Sequence, residues 1–301
     1  MSLALAAILA AATSVLAASP AVPPEPATGA AAWAPARPLR FDKRPPAALV
    51  KEAAKLLARG RYLRAEPLLQ RRLDLIEAQE GKAGPEALAA ALSDLADLYA
   101  LQGRYAQAEE LYDRSWDALR PALGLEHPLV LRLADHMAEL YRLEGRWLRS
   151  EDLQRRTLDA RERRLGPDSP DVAESVDHLG RLLRDEGRFV DSEALLQRAL
   201  ALRLKLYGKR SFPVALTLRH LGWLYREQER WLDAESSYRK ALSLETRALG
   251  AGHPETAATM AELAAVLRRT GEPLEADKLE AAAQDARARL SQDLPPREYY
   301  Y

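Results

Sequence analysis

The chain has 301 residues, with 44 Lys and Arg balanced by 44 Asp and Glu. That balance excludes the strong basic excess of a general nucleic-acid binder. The lack of any cysteine excludes disulfides, thiolate metal sites and a cysteine nucleophile.

In chain order, the first element is Leu3 to Leu16, apolar apart from Thr13 and Ser14 and followed by the small residues Ala17 and Ala18. Residues 1–18 read as a secretory signal peptide, with an uncleaved N-terminal anchor as the alternative. The run is short for a membrane-spanning helix, which needs about 20 residues. Either reading exports the rest of the chain, to the periplasm or outside the cell. Residues 19–46 hold Pro20, Pro23, Pro24, Pro26, Pro35, Pro38, Pro45 and Pro46. Proline at this density blocks helical hydrogen bonding and favours an extended tether.

From there to about residue 290 one signature recurs six times: Gly-Arg-aromatic, two residues, then a small residue and an acid. It opens at Gly60, Gly103, Gly145 and Gly187; the fifth copy substitutes Glu229 for the Gly, and the sixth, from Gly271, keeps only its ends. The steps are 43, 42, 42, 42 and 42 residues. A fixed period of this size marks a solenoid built by stacking one unit. The units run about 47–84, 85–127, 128–169, 170–212, 213–253 and 254–290.

Within the unit 85–127, Pro85 suits the first turn of a helix. Leu88, Leu92, Leu95, Leu98 and Tyr99 make its apolar face, and Gly103 ends it. Tyr105 begins a second helix with Ala108, Leu111, Tyr112 and Trp116 inward, which Pro121 bends or frays near its end. Small residues fall where the two helices come closest: Ala96 with Ala108, Gly180 with Ser192, Gly222 with Ala234. The signature aromatics Tyr62, Tyr105, Trp147 and Trp231 are expected in or near the core. The first unit has a short first helix, about Ala47 to Ala58, and the last carries Glu280, Gln284 and Arg287 outward, as capping units do. Residues 291–301, with Pro295-Pro296 and Tyr299 to Tyr301, read as a disordered tail.

The pattern Leu-Ala-x-Leu-Tyr, a Gly turn, then aromatic-x-x-Ala resembles the tetratricopeptide repeat. The 42-residue period and turns such as Leu165-Gly166-Pro167-Asp168-Ser169-Pro170 are similar to its kinesin-light-chain type. The resemblance implies an all-α, right-handed superhelix of about six helix pairs, with the first helices lining a concave groove that binds proteins. Equivalent groove positions then form columns. One holds Arg142, Arg184, Arg226 and Arg268; another His136, His178 and His220; others supply Asp135, Asp177, Glu139, Arg181 and Trp223.

Repeated arginines suit carboxylates or phosphates, because the guanidinium offers planar, paired donors. They point to an extended acidic peptide as ligand; the alternative is that they pair with acids such as Glu139, Asp185 and Glu227. The histidines, one repeat apart, are poorly placed to converge on one metal ion and are expected to hydrogen-bond a peptide backbone. His127 and His253 fall in turns before proline and read as structural. Adjacent helix residues such as Asp135 and His136 point about 100° apart, so they form no dyad. There is no Gly-rich phosphate loop, Gly-x-Ser-x-Gly or His-Glu-x-x-His. No enzyme, cofactor or metal is implied. The expected role is a scaffold or adaptor; the alternatives are an exported receptor for a small anionic ligand or metal, and a self-assembling structural subunit.

Overall fold

The computed structural model describes residues 44–57, 61–79 and 81–292. The signal segment, the tether up to residue 43, Ala58, Gly60 and the tail from 293 lie outside the described residues. The described residues form twelve α-helices and no strand. In order they are α1 (Pro46–Leu57), α2 (Tyr62–Glu77), α3 (Pro85–Leu101), α4 (Tyr105–Leu123), α5 (Pro128–Leu143), α6 (Trp147–Leu165), α7 (Pro170–Asp185), α8 (Phe189–Tyr207), α9 (Phe212–Glu227), α10 (Trp231–Leu249), α11 (Pro254–Thr270) and α12 (Pro273–Gln292). They divide into two compact units, one ending at Leu140 and one beginning at Tyr141. In the first, α1 packs on α2, α2 on α3 and α3 on α4. In the second, each helix from α6 to α12 packs on the next.

Helix starts follow local chemistry. Proline occupies an early position of α3, α7, α9 and α11, where its missing N–H is no loss. Ser169 caps α7 by accepting from the Val172 amide at 3.2 Å. His127 and His253 cap in the same way: each Nδ1 accepts a backbone N–H, from Leu129 and Glu255, at 3.2 Å. Pro121 lies inside α4, which continues to Leu123 rather than fraying at the proline.

Small residues let the paired helices close up. Ala96, Ala108, Ser192 and Ala234 are fully buried. Ser192 donates from Oγ to the Gly180 carbonyl at 2.7 Å. A Cβ at Gly180 would lie 2.9 Å from Leu196 Cγ, and one at Gly222 would lie 2.7 Å from the Tyr238 ring. Tyr238 is itself completely buried, so that space is taken by a ring with nowhere to retreat.

The signature also joins one repeat to the next. Its arginine turns back onto the preceding repeat: Arg104 meets Glu66 at 2.9 Å, Arg188 meets Glu151 at 2.9 Å, and Arg230 meets Glu193 at 2.7 Å. The guanidinium also lies over the tyrosine ending its own first helix, at 3.8 Å for Arg104 on Tyr99, 4.3 Å for Arg146 on Tyr141 and 4.2 Å for Arg230 on Tyr225. Where Leu183 replaces that tyrosine, Arg188 instead contacts both oxygens of Glu151. In the sixth copy Glu272 replaces the arginine. Glu235 then takes Arg239, which reaches forward to Glu272 at 2.9 Å and Glu275 at 2.5 Å.

One aromatic departs from the sequence expectation. Trp147 is exposed rather than in the core; its ring lies across the turn, close to where a Gly145 Cβ would be. At the outer end, Gln284 and Arg287 face solvent, which suits a terminal repeat.

The turn between paired helices needs a left-handed residue. Gly103, Gly145 and Gly187 supply it at φ of 74°, 71° and 76°, and in the fifth copy Glu229 is held at φ 58°. An L-residue there costs about 1–2 kcal/mol. Glu229→Gly should therefore raise stability by about 1 kcal/mol, after allowing for glycine's extra unfolded-state freedom. Urea unfolding of the two proteins would measure it, and an unchanged or lowered midpoint would count against strain at this turn.

Candidate functional site

The residues singled out by register lie on the first helices of the repeats, α5, α7, α9 and α11. The two units carry opposite chemistry there.

In the first unit the surroundings are acidic. Asp97 is buried and accepts two hydrogen bonds on Oδ1: from Tyr112 at 2.6 Å and from His136 Nδ1 at 2.7 Å. Tyr112 is fully buried and its ring stands edge-on to the imidazole. Burial alone would push His136 down. Asp97, through charge and hydrogen bond, with Asp135 and Asp94 behind it, outweighs burial and lifts His136 to about 9. Asp94 is pushed up to about 6 by burial against the pull of its ion pair with Arg72. Asp135 and Glu139 are half-buried on the same helix as His136.

In the second unit arginines dominate, threaded with acids. Asp185 receives Arg142 and also Arg184, whose Nη2 and Nε lie 2.6 and 3.0 Å from Oδ1. Burial pushes Asp185 up, but Arg184 and Arg142 together hold it below the usual carboxylate range. Arg184 also approaches Glu227 at 3.8 Å and lies 5.2 Å from the centre of the Trp223 ring. Arg226 pairs with Glu262. Arg268, at the solvent edge, reaches Asp277 at 3.1 Å and also Glu280 on α12. Arg181 is buried, and Trp223 is almost wholly enclosed.

The histidines of this unit differ from His136. His178 is half-buried beside Asp177. His220 is buried, stacks on Trp223 at 5.5 Å, and has Nδ1 2.8 Å from Asp177 Oδ2. Asp177 is shared: Arg203 reaches it at 3.1 Å and Thr217 donates to it at 2.9 Å. Burial is the largest influence on His220, and Arg181 and Arg219 add to it. Together they overcome Asp177 and push the imidazole down to about 3. Asp177 itself is lifted by burial but held far lower by Arg203 and His220.

Register reasoning brought the Arg and His columns onto one set of helices. It missed the buried polar groups between repeats. Arg203 bonds Asp177, Thr217 and the Pro213 carbonyl. Arg219, about 1% exposed, holds both Glu245 and Glu255. Burial pushes Glu245 up to about 7, with Arg219 and Thr259 opposing and Glu255 reinforcing. The available signal was Arg161, Arg203 and Glu245 recurring at a position where the second repeat has Leu119, a charged column on an otherwise apolar face. Among the described residues no group of three His, Asp or Glu side chains could hold a metal ion.

A family model of the tetratricopeptide repeat matches four overlapping stretches, residues 87–163, 129–205, 173–244 and 213–289. The chain belongs to the tetratricopeptide repeat family. Its fold is the family's all-α solenoid of consecutive helix pairs. Solved structures share it at low identity. BtubC (BKLC) from P. vanneervenii matches with a TM-score of 0.58 and 23% identity, over 83% of this chain and 95% of that one. A putative kinesin light chain with nearly identical TPR-like repeats from Podosopora anserina gives 0.54 and 21%, over 68% and 97%. The quorum sensor NprR, solved with its cognate peptide NprX, gives 0.58 and 16%, over 80% and 66%. No curated protein matches the chain.

The tetratricopeptide register gives His136 and His220 one position, yet their surroundings set them apart. By NMR, His136 should stay protonated up to about pH 9, while His220 should stay neutral down to about pH 3. A raised pKa means that His136 favours the folded state fully below about 6.5 and loses that contribution as the pH climbs through about 9. Two imidazoles titrating together near 6.5 would rule out these environments.

Proposed function

We propose that the protein is a non-catalytic scaffold whose first-helix groove takes an extended acidic segment of a protein partner. The observation that carries this reading is Arg184. Its side chain is buried and already engaged by Asp185 and Glu227, yet Nη1 is a buried donor with no acceptor. A buried donor left without a partner is costly, and a ligand carboxylate would relieve that cost. Trp223 gives the same guanidinium an aromatic wall. Arg142, Arg226 and Arg268 repeat the position on neighbouring first helices, with Arg181, His178 and Asp177 around them. On this reading Asp185, Glu227 and Glu262 hold the arginines extended until a ligand carboxylate replaces them. His136, Asp135 and Glu139 form a separate, acidic stretch suited to basic residues of the same kind of ligand. NprR, solved with a peptide, supports a peptide as ligand by likeness of fold.

Fluorescence anisotropy with a labelled Glu-rich peptide and its Gln-rich counterpart tests this. The acidic peptide should bind preferentially and less tightly as salt rises. Arg184→Gln should weaken it by roughly tenfold or more. Equal binding of the two peptides, or no effect of Arg184→Gln, would remove the acidic groove.

The same reading makes the scaffold an exported protein, carried out by residues 1–18, with residues 19–46 as tether and 47–290 as the binding domain. Fractionation of cells producing the full chain and a form lacking residues 1–18 should find the first outside the cytoplasm and the second inside. Cytoplasmic full-length protein would overturn export.

A further inference from the structure

The position after the signature aromatic, or after Pro273 where the sixth copy lacks one, holds a large aliphatic residue in five of the six copies: Leu63, Leu148, Val190, Leu232 and Leu274. In the second unit the last four are 83, 85, 75 and 78% exposed. Each lies in the first turn of a second helix, α6, α8, α10 or α12. Equal register in stacked helix pairs sets them in a row, one rung per repeat, roughly 10 Å apart. Single exposed leucines are ordinary on protein surfaces. Four large aliphatics at one position of four successive repeats form a pattern, because a solvent-facing first turn favours polar residues in each copy alike.

The charges beside this row give it direction. Two residues before each aliphatic and one residue after it stand Arg146 and Arg149 on the first rung, Arg188 and Asp191 on the second, Arg230 and Asp233 on the third, and Glu272 and Glu275 on the fourth. The middle rungs neutralise themselves: Arg188 meets Asp191 at 3.0 Å and Arg230 meets Asp233 at 2.9 Å. At the ends Arg146 has Glu144 at 2.8 Å and Arg239 serves both Glu272 and Glu275, so Arg149 leaves the first rung net basic and two glutamates sharing one arginine leave the fourth net acidic. Such a row is complementary to itself when reversed. A parallel copy would set arginines against arginines, and an anionic lipid surface would meet repulsion at the fourth rung.

We infer that this row is the contact face for a second copy of the chain, packed antiparallel. Leu148 meets Leu274 of the second copy and Val190 meets its Leu232. Arg149 faces Glu272 and Glu275 of the other copy at both ends, as a two-fold contact requires. One face of four rungs is small for a permanent dimer, so the association is weak, reversible and salt-sensitive. It leaves the first-helix groove of each copy unused, so a dimer offers two ligand sites.

Sedimentation of the full chain across a wide concentration range at low salt tests this. The mass should rise toward twice the monomer's and fall back as salt is added. Val190→Glu with Leu232→Glu should abolish the rise while circular dichroism stays helical, since neither side chain is in the core. Arg149→Glu and Glu275→Arg should each weaken association by roughly tenfold. Mixing the two variants should restore it, because each supplies the charge that the other lacks. A monomer at every concentration, a dimer that survives the two glutamates, or a mixture that fails to recover would each overturn the proposal.

Discussion

A pair of antiparallel helices hides only one of its sides from water, and the rest of this structure depends on covering the other. The next pair does so, and the signature is the device that fixes where it sits. Its arginine is placed at the turn by a left-handed residue. From there it lies on the tyrosine of its own first helix and reaches the glutamate of the previous repeat. One short motif thus sets the turn, the start of the second helix and the contact between repeats. Each ion pair, being partly exposed, contributes little alone. Its repetition at one register keeps the order of stacking the same along the chain.

Close approach inside a pair imposes a second constraint. Gly180, Gly222 and Ala96 are small because the opposite helix occupies the volume that a larger side chain would need. At Gly222 a tyrosine ring fills it, which converts a missing side chain into packing density. The same helices then have no room for solvent around the polar groups that lie between repeats. Asp177, Arg203 and Thr217 bond one another, and Arg219 is ion-paired with two glutamates. Removing one member of such a set leaves a buried charge without its counterpart, which costs more than the set contributes when intact.

The fold was readable because the period, the prolines at helix starts and the glycines at turns are local and repeat in register. The columns of the candidate site were readable for the same reason. What register could not show is how equivalent residues differ. His136 and His220 occupy one position, but their carboxylate partners, Asp97 and Asp177, come from positions one helical turn apart, and only His220 is flanked by Arg181 and Arg219. Asp97, Asp177 and Arg181 lie on other helices than the histidines they influence, so no pattern along a single helix reveals them. Trp147 was misjudged for a related reason: its position is that of a core aromatic, but its ring lies across the turn. The acid-threaded arrangement of Arg142, Arg184 and Arg226 was visible only as two alternatives, because pairing depends on reach between helices.

The ion pair at Asp277 has a consequence for how this chain can change length. In the first, third and fourth copies the signature acid meets the arginine of the following repeat. In the last copy the equivalent acid, Asp277, is taken by Arg268 of its own pair. The arginine of a repeat added after the sixth would meet an acid already engaged, whereas a repeat duplicated in the interior would bring its own acid and arginine. Duplication of an interior repeat therefore keeps a joint that extension after the sixth would have to make in another way.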